Sequence, residues 1–369
     1  MRRPGEHRED RQWAFSCNGA IETKRFRWWI GLGAAAVALF AHPLAGSAGS
    51  RHPLAYTGGL WQSLNARCGT RAAANEPYPW PLRPFHAQHP IRGFFGDPRN
   101  LVSSVEQPLT PESPGKFSFH NGIDIYAAPD QKVFPVVSGR ARVANAQEVV
   151  VRTRDGRTFQ YWHVLPLVRT GSWVTASKTV LGTAIPKRGH LHLTEIRGTC
   201  AVNPLAPGHL EPYEDASQPQ VVALDAVGAD GAVLDPTRVA SPFGLVVQAQ
   251  SEPPFPVPPP WQDLPVTPAT VRWRLTAADG RIVLPWRYAA DFAVTIPPNR
   301  DYWRVYAAGT HENFVDRGSQ PQLPGVYDFR LTPPNAVMPP GHYTATVVVA
   351  TTDGNRSTQR LPFRVVPSS

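Results

Sequence analysis

Short strand-like runs, with no helical periodicity longer than two turns, occupy residues 91–210. The runs are rich in β-branched and aromatic residues, and turn signals such as Asp155-Gly156 separate them. Proline is frequent, with 41 residues, and charged residues make up only 18% of the chain, which also favours strands and loops over helices. The pattern predicts a mainly β fold with an antiparallel sheet and an open groove.

Residues 221–367 continue the strand-like pattern after a polar linker at 211–220. The spacing of the runs and of their Asp-Gly turns predicts a β-sandwich. The stretch from Pro340 to Val347, followed by Asp353-Gly354, resembles the last hairpin of bacterial Ig-like modules. A helix is predicted near Leu60 to Arg67. The predicted organisation is an export signal at 1–50, an N-terminal extension at 51–80, a first β domain at 81–215 and an Ig-like domain at 216–369.

The N-terminus reads as an export signal. Three basic residues (Lys24, Arg25 and Arg27) precede a run from Trp28 to Ser50 without any charged residue. The apolar heart of this run is too short for a membrane span, and small residues near Ala48 suit cleavage. We expect a secreted or extracytoplasmic protein with no stable membrane span after cleavage; a retained anchor is the alternative.

Cysteine usage agrees with export. Cys17 lies in the predicted signal, which leaves Cys68 and Cys200 as an even pair. A disulfide between them is predicted for an oxidising compartment, and two separate buried thiols are the alternative.

A histidine and an aspartate flank an Asn-Gly pair in the string from Phe119 to Ile125. His120 and Asp124 stand three residues apart, and Asn-Gly favours a bend rather than a helix. The bend is expected to bring an imidazole and a carboxylate to one point, and these ligand types suit zinc. Alone, the string also fits a solvated polar turn.

Two later stretches supply three more histidines. His163 ends the run Phe159-Gln160-Tyr161-Trp162-His163, which reads as a strand. His190 and His192 alternate in another strand, so their side chains share a face. One of that pair can bind a metal while the other stays available for proton transfer, and a catalytic zinc site needs three protein ligands and one open position.

In this order, the motifs resemble the lysostaphin-type (LytM-like) zinc endopeptidases that cleave peptidoglycan peptides. The flanking runs that share the resemblance are Gly93-Phe94-Phe95-Gly96-Asp97-Pro98-Arg99, Ala128-Pro129, Val136-Val137-Ser138-Gly139, Gly171-Ser172-Trp173-Val174, Leu181-Gly182 and Asn203-Pro204. The resemblance covers about residues 80–215. It implies zinc as cofactor, a peptidoglycan peptide as substrate, and hydrolysis by a zinc-activated water with histidine acid/base assistance.

The resemblance also implies a role for each site residue. His120, Asp124 and His192 match the zinc ligands, while His163 and His190 match the two catalytic histidines. Two departures bear on specificity. The lead-in to His190 is not glycine-rich, and the acid that usually follows the second histidine closely is displaced to Glu195.

The charge balance agrees with a wall substrate. The chain carries +9, of which residues 1–27 contribute +3, so about +6 remains after signal cleavage. Such a protein would be drawn to an anionic bacterial wall, and no arginine-rich run suggests a nucleic-acid partner. Two alternatives stay open: a catalytically silent, peptidase-like protein that binds the wall or activates another hydrolase, and an adhesive protein whose Ig-like domain does the work.

Overall fold

The computed structural model describes residues 54, 56–69, 77–101, 109–113, 115–315 and 323–367. All of them fall within one compact unit, Gly49–Ser369. The predicted signal segment at 1–50 lies outside the described residues, and the domain boundaries stay predictions. Within the described residues, no helix is long and apolar enough to cross a bilayer.

The first half of the described chain has one helix and thirteen strands. Their bounds are α1 Gly58–Cys68, β1 Ile91–Gly93, β2 Pro98–Leu101, β3 Lys116–Phe119, β4 Ile123–Tyr126, β5 Lys132–Val133, β6 Gly139–Asn145, β7 Glu148–Arg152, β8 Arg157–Trp162, β9 Val164–Pro166, β10 Trp173–Val174, β11 Gly182–Ala184, β12 His190–Arg197 and β13 Cys200–Val202. The largest sheet runs β1-β4-β12-β8-β7-β6-β10, with β13 also paired to β12. Strands β5, β11 and β9 form a second sheet, and β2 pairs with β3.

The second half adds eight strands and two short helical segments. Their bounds are β14 Gln220–Val227, β15 Val239–Ala240, β16 Gly244–Gln250, β17 Thr270–Ala277, β18 Ile282–Asp291, the 3-10 helix Asn299–Asp301, α2 Tyr302–Val305, β19 Asp328–Arg330, β20 Gly341–Ala350 and β21 Arg356–Val366. They form the sheets β14-β16-β19 and β15-β21-β20-β17-β18. Phe243 and Phe363 meet between the two sheets, with ring centroids 5.9 Å apart.

The predicted mainly β class is confirmed. Nearly all strand pairs are antiparallel, the exception among the described strands being β15 with β21. The predicted hairpin turns at Asp155-Gly156 and Asp353-Gly354 join β7 to β8 and β20 to β21. Several short strands and two longer ones, β6 and β18, were not predicted from the sequence. The inward residues of β6 begin with the small Gly139 and Ala141, and three register shifts interrupt the pairing of β18 with β17, so neither strand shows a regular apolar alternation. The Ig-like assignment stays a prediction.

One continuous apolar core joins the two halves. Its centre is aromatic: Phe119, at the end of β3, lies 5.9 Å from Phe292, 5.6 Å from Tyr302 and 5.7 Å from Tyr306, measured between ring centroids. All four side chains are buried. Burying rings of this size contributes about 1.5–3 kcal/mol each relative to exposure, so the two halves stabilise one another at this junction.

The predicted helix is present as α1, and it packs mainly against β18. Trp61 Nε1 donates to the Ala289 carbonyl at 3.0 Å, and Asn65 donates to the Asp291 carboxylate at 2.8 Å. The polar segment predicted as a linker is also held in place, since the backbone N–H of Asp215 donates to Asp353 at 2.7 Å.

The predicted disulfide joins Cys68, the last residue of α1, to Cys200 at the start of β13, across 132 residues of sequence. Closing a loop of this length removes much entropy from the unfolded chain. We expect the Cys68→Ser, Cys200→Ser double variant to lose about 2–5 kcal/mol of the free energy of unfolding, measured by urea titration. Wild-type protein unfolded in reducing agent is the control, and equal stability of the oxidised wild type and the double variant would contradict the expectation.

Candidate metal centre

Neighbouring strands bring the five predicted site residues together. His120 follows β3, Asp124 lies in β4, and both His190 and His192 lie in β12. Asp124 is directly opposite His192 in the antiparallel pairing of β4 with β12. Because alternate residues of a strand share a face, His190 and His192 both point towards Asp124, as predicted.

The bend at Asn121-Gly122 lets His120 approach β12. A Cβ on Gly122 would collide with the Leu193 carbonyl oxygen and would lie 2.9 Å from His192 Nε2, so only glycine permits this close contact. The Asn-Gly pair therefore has a defined steric role beside the metal-binding candidates.

His163 is not inside a strand, contrary to the prediction. β8 ends at Trp162, and His163 takes a φ of 64°, a left-handed conformation that side-chain-bearing residues seldom adopt. The turn directs its imidazole at His190, with ring centroids 4.5 Å apart. His163 Nδ1 is buried and has no hydrogen-bond partner among the described residues. Strain of this kind concentrates at functional sites.

Three donor atoms converge at the centre of the cluster. His120 Nε2 lies 2.8 Å from His192 Nδ1, and Asp124 Oδ1 lies 3.2 Å from the former and 3.1 Å from the latter. His120, Asp124 and His192 are the cluster able to hold a metal ion within the described part of the chain. His120 and Asp124 are only 3% and 6% exposed.

The hydrogen bonds of the two imidazoles fit a metal at this point. His120 Nδ1 donates to the Phe94 carbonyl at 2.7 Å, which leaves the lone pair of Nε2 facing the cluster. The Thr194 hydroxyl lies 2.8 Å from His192 Nε2 and can accept a hydrogen bond from the N–H at that position, which leaves His192 Nδ1 with a lone pair. Two lone pairs and a carboxylate oxygen then face one another, and a cation between them relieves their repulsion. Two imidazoles and one carboxylate suit zinc.

The protonation states suit the same chemistry. Burial, and next the charge of Arg99, lower the pKa of His120 to about 3 against the opposing effect of Asp124. Burial also lowers the pKa of His163 to about 4 and holds that of His190 well below its usual range. Burial alone would raise the pKa of Asp124, but His120 and His190 hold it well below its usual range. At neutral pH the imidazoles of His120, His163 and His190 are therefore neutral, and the Asp124 carboxylate is ionised.

Two arginines border the cluster. Arg99 Nη2 donates to Asp124 Oδ2 at 3.0 Å, on the carboxylate oxygen that faces away from the histidines. Arg92 Nη2 lies 2.8 Å from His190 Nδ1 and 3.1 Å from its Nε2, and the Arg92 guanidinium stacks on the Trp261 ring at 3.8 Å. Trp261 directly follows the proline-rich stretch 251–260. Arg99 belongs to a run that shares the family resemblance, whereas no local pattern in the sequence indicated Arg92 or Trp261.

The displaced acid Glu195 belongs to a buried hydrogen-bond network and not to the site. Its carboxylate is fully buried and accepts hydrogen bonds from Tyr78 at 2.7 Å, from His209 at 2.8 Å and from Arg197 at 2.6 Å. This network joins β12 to the segments around Tyr78 and His209. Thr194, in the position before Glu195, contacts His192 instead.

Four other histidines lie outside the cluster. His89 is buried and bonds the Pro84 carbonyl at 3.0 Å, while His86 and His342 are exposed. His311 bonds the Glu312 carbonyl at 2.9 Å. These placements agree with packing or surface roles.

Comparison with known proteins gives only distant structural likenesses. No family model matches the chain, and no curated protein matches it. The SpoIIIAH and SpoIIQ complex is 20% identical, covering 31% of this chain and 89% of that chain, with a TM-score of 0.23. Pseudoalterin, an M23 metalloprotease from the deep sea, is 16% identical, covering 38% of this chain and 81% of that chain, also at 0.23. The SpoIIQ–SpoIIIAH pore-forming complex is 18% identical, covering 32% of this chain and 90% of that chain, with a TM-score of 0.22. Such TM-scores carry no argument about fold or function.

Proposed function

We propose that the protein is an exported zinc endopeptidase that hydrolyses peptide bonds in peptidoglycan. The observation that carries the proposal is the convergence of His120 Nε2, Asp124 Oδ1 and His192 Nδ1 within 3.2 Å of one another. The order and spacing of these residues in the sequence, which resemble those of the LytM-like endopeptidases, support the same conclusion.

His120, Asp124 and His192 would hold the zinc ion. A bound zinc ion lowers the pKa of water and polarises a carbonyl group, which is the chemistry that peptide hydrolysis needs. The chain supplies the orientation of the ligands: Phe94 fixes the His120 ring, and Arg99 directs Asp124 Oδ1 towards the histidines. His120 and Asp124 are buried, which limits the access of bulk water to these two ligands.

His163 and His190 would move protons. His190 Nδ1 donates to the Arg188 carbonyl at 2.9 Å, so the lone pair of the ring is on Nε2, which lies 3.6 Å from Asp124 Oδ1 and 3.1 Å from the donor Arg92 Nη2. His163, against the His190 ring, offers a second neutral imidazole. Histidine suits proton transfer near neutral pH. One imidazole would act as base and the other would stabilise the oxyanion or protonate the leaving amine.

The substrate assignment is tested by digestion. Purified full-length protein with zinc is incubated with intact peptidoglycan, and the soluble products are identified by mass spectrometry. We expect new amino and carboxyl termini within the peptide portion and no release of free sugar ends. A chelator should stop the reaction, and added zinc should restore it. Products cut only in the glycan strands, or release that the chelator leaves unchanged, would contradict the proposal.

One alternative function has an observation in its favour. The cluster is largely covered, and the Arg92 side chain, only 12% exposed, contacts His190. A catalytically silent protein that binds the wall, or activates another hydrolase, would tolerate this arrangement. Zinc binding and co-sedimentation with peptidoglycan, without any peptide products in the digestion, would favour this alternative over the endopeptidase.

A further inference from the structure

Residues of the second half hold two segments of the chain that precede His120. Upstream, the Tyr306 hydroxyl donates to the Gly96 carbonyl at 2.7 Å, and the Thr267 backbone N–H donates to Asp97 at 3.2 Å. Directly before His120, the Phe119 backbone N–H donates to Asn299 at 3.3 Å.

Glu312, another residue of the second half, lies close enough to affect the metal ligands electrostatically. Its Oε1 accepts the backbone N–H of Asn100 at 3.1 Å, and its own backbone N–H donates to Asn100 Oδ1 at 3.0 Å. The other oxygen, Oε2, lies 3.6 Å from Arg99 Nη1. The paired bonds with Asn100 fix the Glu312 carboxylate beside the guanidinium.

Arg99 connects Glu312 to Asp124. Its Nη2 bonds Asp124 Oδ2 at 3.0 Å, while its Nη1 faces Glu312 at 3.6 Å and Asp97 at 3.6 Å. One guanidinium is thus shared among three carboxylates. A planar guanidinium held at both ends keeps a fixed orientation, and the acids on its far side balance positive charge that would otherwise repel a cation near Asp124.

We infer that Glu312, from the second half of the chain, is a positioning residue of the metal centre, acting through Arg99 on Asp124. The inference rests on the proposed metal site and extends it, because it makes residues 216–369 part of that site rather than a separate wall-binding module. Without the Glu312 charge, Arg99 is held less firmly and presents more uncompensated positive charge to the cluster, so zinc should bind more weakly.

The test measures zinc affinity in full-length protein by competition with a chelating dye. The Glu312→Gln variant keeps an oxygen to accept the Asn100 N–H but loses the charge. We expect its zinc Kd to rise about 10- to 100-fold, the range typical of groups that orient metal ligands. Asp279→Asn, which removes an exposed carboxylate distant in sequence, is the matched control and should keep the wild-type Kd.

A double-mutant cycle with Arg99→Gln separates this role from general packing. If Glu312 acts through Arg99, adding Glu312→Gln to Arg99→Gln should change the Kd less than about twofold. A loss of the same size in both backgrounds, or a wild-type Kd in Glu312→Gln alone, would overturn the inference. Should Glu312→Gln fail to fold, Glu312→Asp serves instead: it keeps the charge and should bind zinc more tightly than Glu312→Ala, and equal affinities would overturn the inference. A wild-type protein that binds no zinc would overturn the metal site and, with it, this inference.

Discussion

The His192→Ala and His120→Ala variants should each lose the zinc that the wild-type protein binds. Either change removes one of the three protein ligands and leaves one histidine and Asp124 to hold the ion. If the ligands share an apparent binding free energy of about 10–16 kcal/mol, one ligand accounts for about 3 kcal/mol or more, so affinity should fall more than about 100-fold. Elemental analysis of dialysed protein should give about one zinc per chain in wild type and little in either variant.

His342→Ala is the matched control for zinc loss, because His342 is an exposed histidine outside the cluster. It should keep the wild-type zinc content, and all the variants should keep the wild-type far-ultraviolet circular dichroism spectrum. Wild-type zinc affinity in His192→Ala would show that the ligand assignment is wrong. A wild-type protein free of zinc would mean that the histidines form a packing cluster, and attention would turn to binding of the wall.

Replacement of His163 should stop hydrolysis while zinc stays bound. His163 touches His190 rather than the three converging donor atoms, so its removal leaves the ligands intact. Loss of an acid or base group typically slows a reaction about 10²- to 10⁴-fold. His163→Asn is preferred to His163→Ala because Asn tolerates the left-handed backbone found at this position. Peptide release and zinc content are measured on the same samples, with His86→Ala as control.

The pH profile of wild-type hydrolysis gives a second check on His163. Burial lowers the pKa of His163 to about 4, so its imidazole is neutral at pH 7 and stays neutral as the pH falls towards 5. If His163 is the base of the pair, it must be unprotonated to act, so kcat/KM should decline only as the pH approaches about 4–5, below the ordinary histidine value of about 6.5. A decline centred near 6.5, or a His163→Asn variant with wild-type rates, would contradict the role assigned to this residue.

The sequence was sufficient to predict the strand that carries His190 and His192 and the bent, extended segment that carries His120 and Asp124, because alternation and turn signals are local. His190 and His192 share a face because alternate residues of a strand do so. The bend between His120 and Asp124 could be recognised from the Asn-Gly pair that lies between them. The conformation of His163 was not predictable, because the strand-like sequence pattern continues through this residue although its positive φ ends the strand. Cys68 and Cys200 could be paired because only two cysteines remain after the predicted signal.

The groups surrounding the ligands were not predictable from local patterns. Glu312 lies 212 residues beyond Asn100, its bonded partner, and Trp261 reaches Arg92 from the loop between β16 and β17. Neither residue carries a motif, and only the tertiary packing of the two halves brings them to the site. The aromatic junction around Phe119 gives the physical reason: burial of Phe292 and Tyr306 fixes how the halves meet, and the polar contacts follow from that arrangement.

The packing of α1 on β18 sets the order in which this protein can mature. Trp61 and its partner Ala289 are separated by 228 residues, so the helix leaves the ribosome long before the strand that receives it. At about 5–20 residues per second, the delay amounts to about 10–50 s, during which the apolar side of α1 lacks its binding surface. Translation or translocation that stalls before residue 289 would therefore leave an exposed helix for chaperones and proteases, even with the whole of the first sheet already synthesised.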